Sequence, residues 1–147
     1  MGAHPWFYFV PFQDEVQKAL EKLRTQEFNA GRYNPVIPFP IFPVDLTLKT
    51  PGAKHASIER AIEASGESGT RSILDMKSLS KEAEYFCVAP LNPAVLEELF
   101  GTVKPNREMI EENMDFFENI ERGQGIYIVL FKDEKPYEIL FAGYSFD

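Results

Sequence analysis

The sequence predicts an α+β fold built on a mainly antiparallel sheet of four or five strands. The sheet closes with a C-terminal hairpin and is covered by helices and a proline-rich extended segment. Three observations carry this. First, two runs near the end, Gly125–Phe131 and Tyr137–Phe146, are rich in the β-branched and aromatic residues that fit a pleated surface. Second, neither run alternates cleanly: Ile126, Ile128 and Leu130 fall on one side, Tyr127, Val129 and Phe131 on the other. Successive strand side chains point to opposite faces, so such a hairpin needs cover above and below. Third, the elements run strand, helix, extended segment, helix, two strands, two helices, two strands, an order that suits an α+β domain.

Trp6–Phe12 reads as the first strand, with Pro11 near its end because proline cannot donate to a ladder. Asp14 offers an N-cap with Gln17 as its capping-box partner, and the helix should run to Ala30 and stop at Gly31. Val16, Leu20, Leu23 and Ala30 form its apolar stripe, and Glu27 falls inside that stripe. Five prolines between residues 34 and 51 exclude a helix or central strand there, while Val36, Ile37, Phe39, Ile41, Phe42, Val44, Leu46 and Leu48 are too apolar for a linker. An extended segment laid across the core is expected, in preference to an exposed PxxP ligand.

Ser57 caps a short helix from Ile58 to about Ser65, ended by Gly66. Residues 72–76 and 84–89 are short strand candidates. Asn92-Pro93 is a strong helix start, and that helix stops at Gly101. A last helix is expected from a cap at Asn106 to a stop at Gly123. At 100° per residue Met109, Ile110, Phe116, Phe117 and Ile120 share one arc, and Glu108, Glu111, Glu112, Asp115 and Glu118 the other. Asn113 lies in the apolar arc and needs partners if buried. Lys132–Pro136 then reads as a five-residue hairpin loop.

The 147 residues suit one globular domain, residues 1–147, able to bury about 68–70% of its unfolded surface. One cysteine excludes an internal disulfide and a thiolate metal cage, and the two histidines, His4 and His55, lack ligand spacing. No metal or other cofactor is expected. No stretch reads as a signal peptide or membrane helix, and Trp6 stands where a myristoylation motif on Gly2 wants Ser or Thr. A cytoplasmic protein is expected. The net charge of −8 is uneven: residues 1–75 hold nine acids and eight bases, residues 76–147 fourteen acids and seven bases. That sign disfavours nucleic acid; it favours a basic partner or, as the plainer reading, serves solubility.

No P-loop, dinucleotide-binding, nucleophile-elbow, zinc-protease or EF-hand pattern occurs. Two readings follow. In the first, the chain is a non-catalytic protein-binding module of the inhibitor or immunity type. Its partner face would be Glu108, Glu111, Glu112, Asp115 and Glu118, and its partner a basic protein. In the second, it is a small-molecule- or anion-binding protein or an enzyme, with a pocket near Glu27, Arg32, Tyr33, His55, Ser57 and Arg71. A carboxylate in an apolar stripe suits general acid–base work, or else Glu27 pairs with Arg32. Lys54–Ser57 precede a helix N-terminus that would hold an anion, unless Ser57 is simply a cap. Cys87 reads as an inert buried thiol. A homodimer is the alternative means of covering one face of the sheet.

Overall fold

The computed structural model describes residues 3–147; the expectation concerning Gly2 lies outside them. The fold is α+β around a five-stranded mixed sheet. The strands are β1 (Pro5–Pro11), β2 (Ser78–Leu79), β3 (Cys87–Pro90), β4 (Gly125–Lys132) and β5 (Lys135–Tyr144), and they lie in the order β1-β5-β4-β3-β2. β5 pairs antiparallel with β1 over seven residues and with β4 over eight, whereas the parallel pairings β3–β4 and β2–β3 span three and two. Antiparallel ladders therefore dominate, but the sheet is mixed.

Both faces of the β4–β5 hairpin are covered. On one face Trp6, Tyr8, Ile139 and Phe141 meet Ala19, Leu20 and Leu23 of α1 (Val16–Ala30), with Tyr127 packed against them. On the other, Ile126, Ile128, Leu130, Leu140 and Ala142 meet residues from α3 (Pro93–Phe100), α4 (Arg107–Glu112) and a 3-10 turn at Asp115–Asn119. The 15-residue helix α1 and the segment after Asn106 thus lie on opposite faces. Trp6 explains two glycines. Gly125 and Gly143 face each other across the ladder, and a Cβ on Gly143 would stand 2.3 Å from the Trp6 ring. Their missing side chains are the room the indole fills.

The proline-rich segment covers less than its composition suggests. Pro40 is buried, and Phe42 and Val44 pack onto the α1 face. Phe39, Ile41, Leu46 and Leu48 are 62%, 84%, 73% and 66% exposed. Consecutive turns without a ladder partner cannot point every side chain inward, so about half of the apolar set faces water.

Four local expectations change. The N-cap of α1 is Glu15, without a side-chain bond, and Gln17 instead accepts from the Leu79 N–H. Residues 73–75 form a 3-10 turn capped by the Ser72 hydroxyl, and Ser78–Leu79 take the place of the expected strand. The helix expected over 106–122 breaks at Asn113, whose side chain bonds the Leu99 carbonyl and the Asp115 N–H in preference to the next helical turn. The hairpin loop is only Asp133-Glu134, both at positive φ (52° and 64°), a twist that suits adjacent antiparallel strands.

Other punctuation follows the sequence. Asn92 and Asn106 cap α3 and α4 through their side chains, and Gly101 ends α3 in the left-handed region. Gly31 ends α1 at φ 74°, where an added Cβ would lie 2.2 Å from the Gly52 carbonyl oxygen. Helix α2 (Ile58–Ser65) packs Ala61 against Tyr33 and Leu74. Cys87 is half-buried beside the Ser78 hydroxyl, less enclosed than expected.

Candidate functional site

Glu27 and Arg32 meet because Gly31 turns the chain back on itself at the end of α1. The Arg32 N–H reaches the Glu27 carbonyl at 3.2 Å, and the guanidinium then grips the carboxylate with both arms: Nε to Oε1 at 2.8 Å and Nη2 to Oε2 at 2.5 Å. Gln26 Nε2 adds a third donor at 3.3 Å. The Glu27 side chain is 1% exposed and that of Arg32 15%. The bond to Glu27 raises the Arg32 pKa against the opposing effect of burial. Tyr8 lies close enough for burial, and then the Glu27 charge, to hold its phenol well above the usual range. The carboxylate is thus held at both oxygens by one cation, a strong charge-assisted contact.

Tyr33 and His55 form a second unit. The buried phenol lies 2.8 Å from His55 Nδ1, and its ring stacks on Phe28 at 5.8 Å and 14°. Ser57, two residues on, accepts from the Arg60 N–H at 3.2 Å as the cap of α2. The Lys54–Ser57 stretch thus has its histidine and its serine already engaged.

Arg71 belongs to a third unit, 76 residues along the chain from its partner. Its Nε donates to Asp147 at 3.0 Å, its Nη2 pairs with the same carboxylate, and its Nη1 donates to the Pro38 carbonyl at 2.5 Å. The guanidinium also stacks 4.3 Å over Phe39. The Arg71 bond holds the Asp147 carboxyl at about 2. Beside this unit, buried Asp75 accepts from the Thr70 N–H and hydroxyl, both at 2.9 Å. Its Oδ2 has no partner among the described residues, and burial pushes its pKa up in spite of those bonds.

The residues expected near one pocket therefore divide into Glu27–Arg32, Tyr33–His55, the Ser57 cap and Arg71–Asp147. Arg32 borders an apolar recess of about 200 Å³ formed with the proline-rich segment. Glu27 borders a second recess of about 200 Å³, between β1, α1 and residues 43–46. Among the described residues no cluster of His, Cys, Asp and Glu is placed to hold a metal, and no helix is long and apolar enough to cross a membrane.

The expected partner face lies on other elements, although Arg107 at its start borders the same recess as Glu27. Glu108, Glu111, Glu112, Asp115 and Glu118 are exposed on α4 and the turn after it. Arg107, on the same helix, pairs with Glu138 at 3.1 Å and Glu111 at 3.8 Å and stacks 4.1 Å over Phe9. Comparison with known proteins yields no matching family model, no similar curated protein and no similar solved structure. The geometry stands alone. Two features had no sequence signal: an open cleft of about 710 Å³ between α4 and the hairpin tip, lined by Lys104, Arg107, Glu111, Lys132, Glu134 and Glu138, and the outer edge of β1, which among the described residues pairs with no further strand.

Proposed function

We propose that this protein is a non-catalytic protein-binding module, of the inhibitor or immunity type, that engages a basic partner through the acidic face of its C-terminal half. The observation that carries the reading is that Glu108, Glu112, Asp115 and Glu118 are exposed without an ion pair among the described residues. By contrast Glu27, drawn into the fold, is neutralised by Arg32. Unpaired acids gathered on one short stretch leave a field for a cation-rich surface. The small-molecule reading has less support, because Glu27, Arg32, Tyr33, His55 and Arg71 spend their polar atoms on one another or on Asp147 and Pro38.

The test is retention of proteins from a cell extract on the immobilised chain, against a variant with Glu108, Glu111, Glu112 and Glu118 changed to Gln and Asp115 to Asn. The reading expects a specific basic protein that the variant loses and that elutes as salt rises past about 0.15 M. Equal retention by both chains, or retention insensitive to salt, contradicts it.

A further inference from the structure

β1 is an outer strand, and its hydrogen-bonding parity can be read from its ends. The Ser145 N–H donates to the His4 carbonyl, and the Phe12 N–H to the Tyr137 carbonyl. Both fit the register that pairs Trp6 with Gly143 and Tyr8 with Phe141. In an antiparallel pair, hydrogen-bonded and non-bonded positions alternate, so even-numbered residues bond β5 and odd-numbered ones face outward. The outward positions are Pro5, Phe7, Phe9 and Pro11. The two prolines have no N–H and stop pairing at each end, a common way of restricting an exposed edge. Between them Phe7 and Phe9 each turn one N–H and one C=O outward. Among the described residues no other main chain pairs with them: the proline-rich segment runs nearby but forms no ladder, its one bond toward this end being His4 Nε2 with the Pro40 carbonyl.

This window opens into the recess bordered by Leu23, Val44, Leu46 and Arg107. Its lining is mixed, Leu23, Val44 and Leu46 beside Gln26, Glu27 and Arg107; Leu46 is largely exposed, and one helical residue past Arg107 the exposed acids of α4 begin. We infer that the outer edge of β1 at Phe7 and Phe9 receives an extended segment of a partner protein as a sixth strand, with apolar side chains alternating with basic ones. Main-chain bonds to Phe7 and Phe9 supply the template, alternate side chains reach Leu23, Val44 and Leu46 in the recess, and the others meet Glu108 and Glu111. A second copy of this chain fits less well: edge-to-edge pairing would bring its own acidic α4 toward the same acids. The inference rests on the protein-binding reading above and names the surface and chemistry of its partner.

The test uses the full chain, isotope-labelled, with a capped nonapeptide alternating lysine and valine as the probe and its glutamate–valine counterpart as control. In the free protein the Phe7 and Phe9 amides should exchange openly, while those of Trp6, Tyr8 and Val10 are protected. Adding the lysine–valine peptide should shift and protect Phe7 and Phe9, and the glutamate–valine peptide should not. Phe9→Leu keeps the N–H and should bind the probe comparably, whereas Phe9→Pro should weaken it about tenfold or more. If Phe9→Pro unfolds, the amide protection in the unaltered chain decides. Shifts confined to α4 would overturn the strand addition and leave the acidic-face reading intact; no shift anywhere would count against both. Protection of Phe7 and Phe9 that rises with protein concentration alone would show self-pairing and overturn the inference.

Discussion

Truncating Arg32 strands the Glu27 carboxylate in the interior. In Arg32→Ala the two shortest donors to Glu27 disappear, and only Gln26 at 3.3 Å remains. Because the Glu27 side chain is 1% exposed, it has almost no hydration of its own to replace them. Removing one partner of such a buried pair costs about 3–5 kcal/mol. For a chain of this length that lowers the melting temperature by about 10–16 °C. The reverse change, Glu27→Gln, should cost less, about 1.5–3 kcal/mol, since Arg32 is nearer the surface and can recover hydration. Replacing both with methionine removes the charges together and should fall well short of the sum of the single losses. Urea unfolding followed through Trp6 fluorescence, with thermal melts alongside, measures all three. Losses below about 0.5 kcal/mol for both single variants would refute the closed pair and reopen Glu27 as a functional acid.

Gly143→Ala places a methyl 2.3 Å from the Trp6 ring and 2.6 Å from the Gln124 carbonyl oxygen, so a loss of about 1–3 kcal/mol or more is expected in the same melts. Tyr33→Phe removes the bond to His55 and should cost about 1 kcal/mol with an unchanged circular dichroism spectrum. In acid, Asp147 and Asp75 act in opposite senses. The folded Asp147 carboxyl, at about 2, lies below its unfolded value near 3.9, so its contribution is present above about pH 4 and is lost as pH falls toward 2. Asp147→Asn should flatten that loss, which stays small because the side chain is 39% exposed. Asp75 is raised by burial, so its protonated form favours folding and stability drains as pH rises from about 3.9 through its folded pKa. Stability of Asp75→Asn across that range should show the drain removed.

How much of this was legible depends on the separation over which each interaction acts. The two-faced hairpin was visible because apolar residues on consecutive positions demand cover whatever the topology. Glu27–Arg32 was visible because the pair is local and a glycine stop lies between. Asn92, Asn106, Gly31 and Gly101 worked as punctuation for the same reason. The single helix over 106–122 was over-read: the 3-10 turn keeps Phe116 and Ile120 buried, so the periodicity survives a break that Asn113 makes through its side chain. The hairpin loop was over-read too, because charged residues fit a long loop as well as a two-residue turn. Arg71–Asp147 and the parallel pairing of Ser78–Leu79 with Cys87–Val88 carry no local signature. Nor does apolar content say which side of the proline-rich segment faces the core. The acidic face was plain as composition; the outer position of β1 required the strand order.

The most direct measurement of the central structural claim is native-state hydrogen exchange of the β4 and β5 amides, at a concentration where light scattering gives the 16.8 kDa monomer. Material of the same chain on both faces predicts that Ile126, Ile128, Leu140 and Ala142 exchange only through global unfolding, with one common free energy. Exchange of these amides by local opening in the monomer, or protection that appears only as a dimer forms, would contradict it.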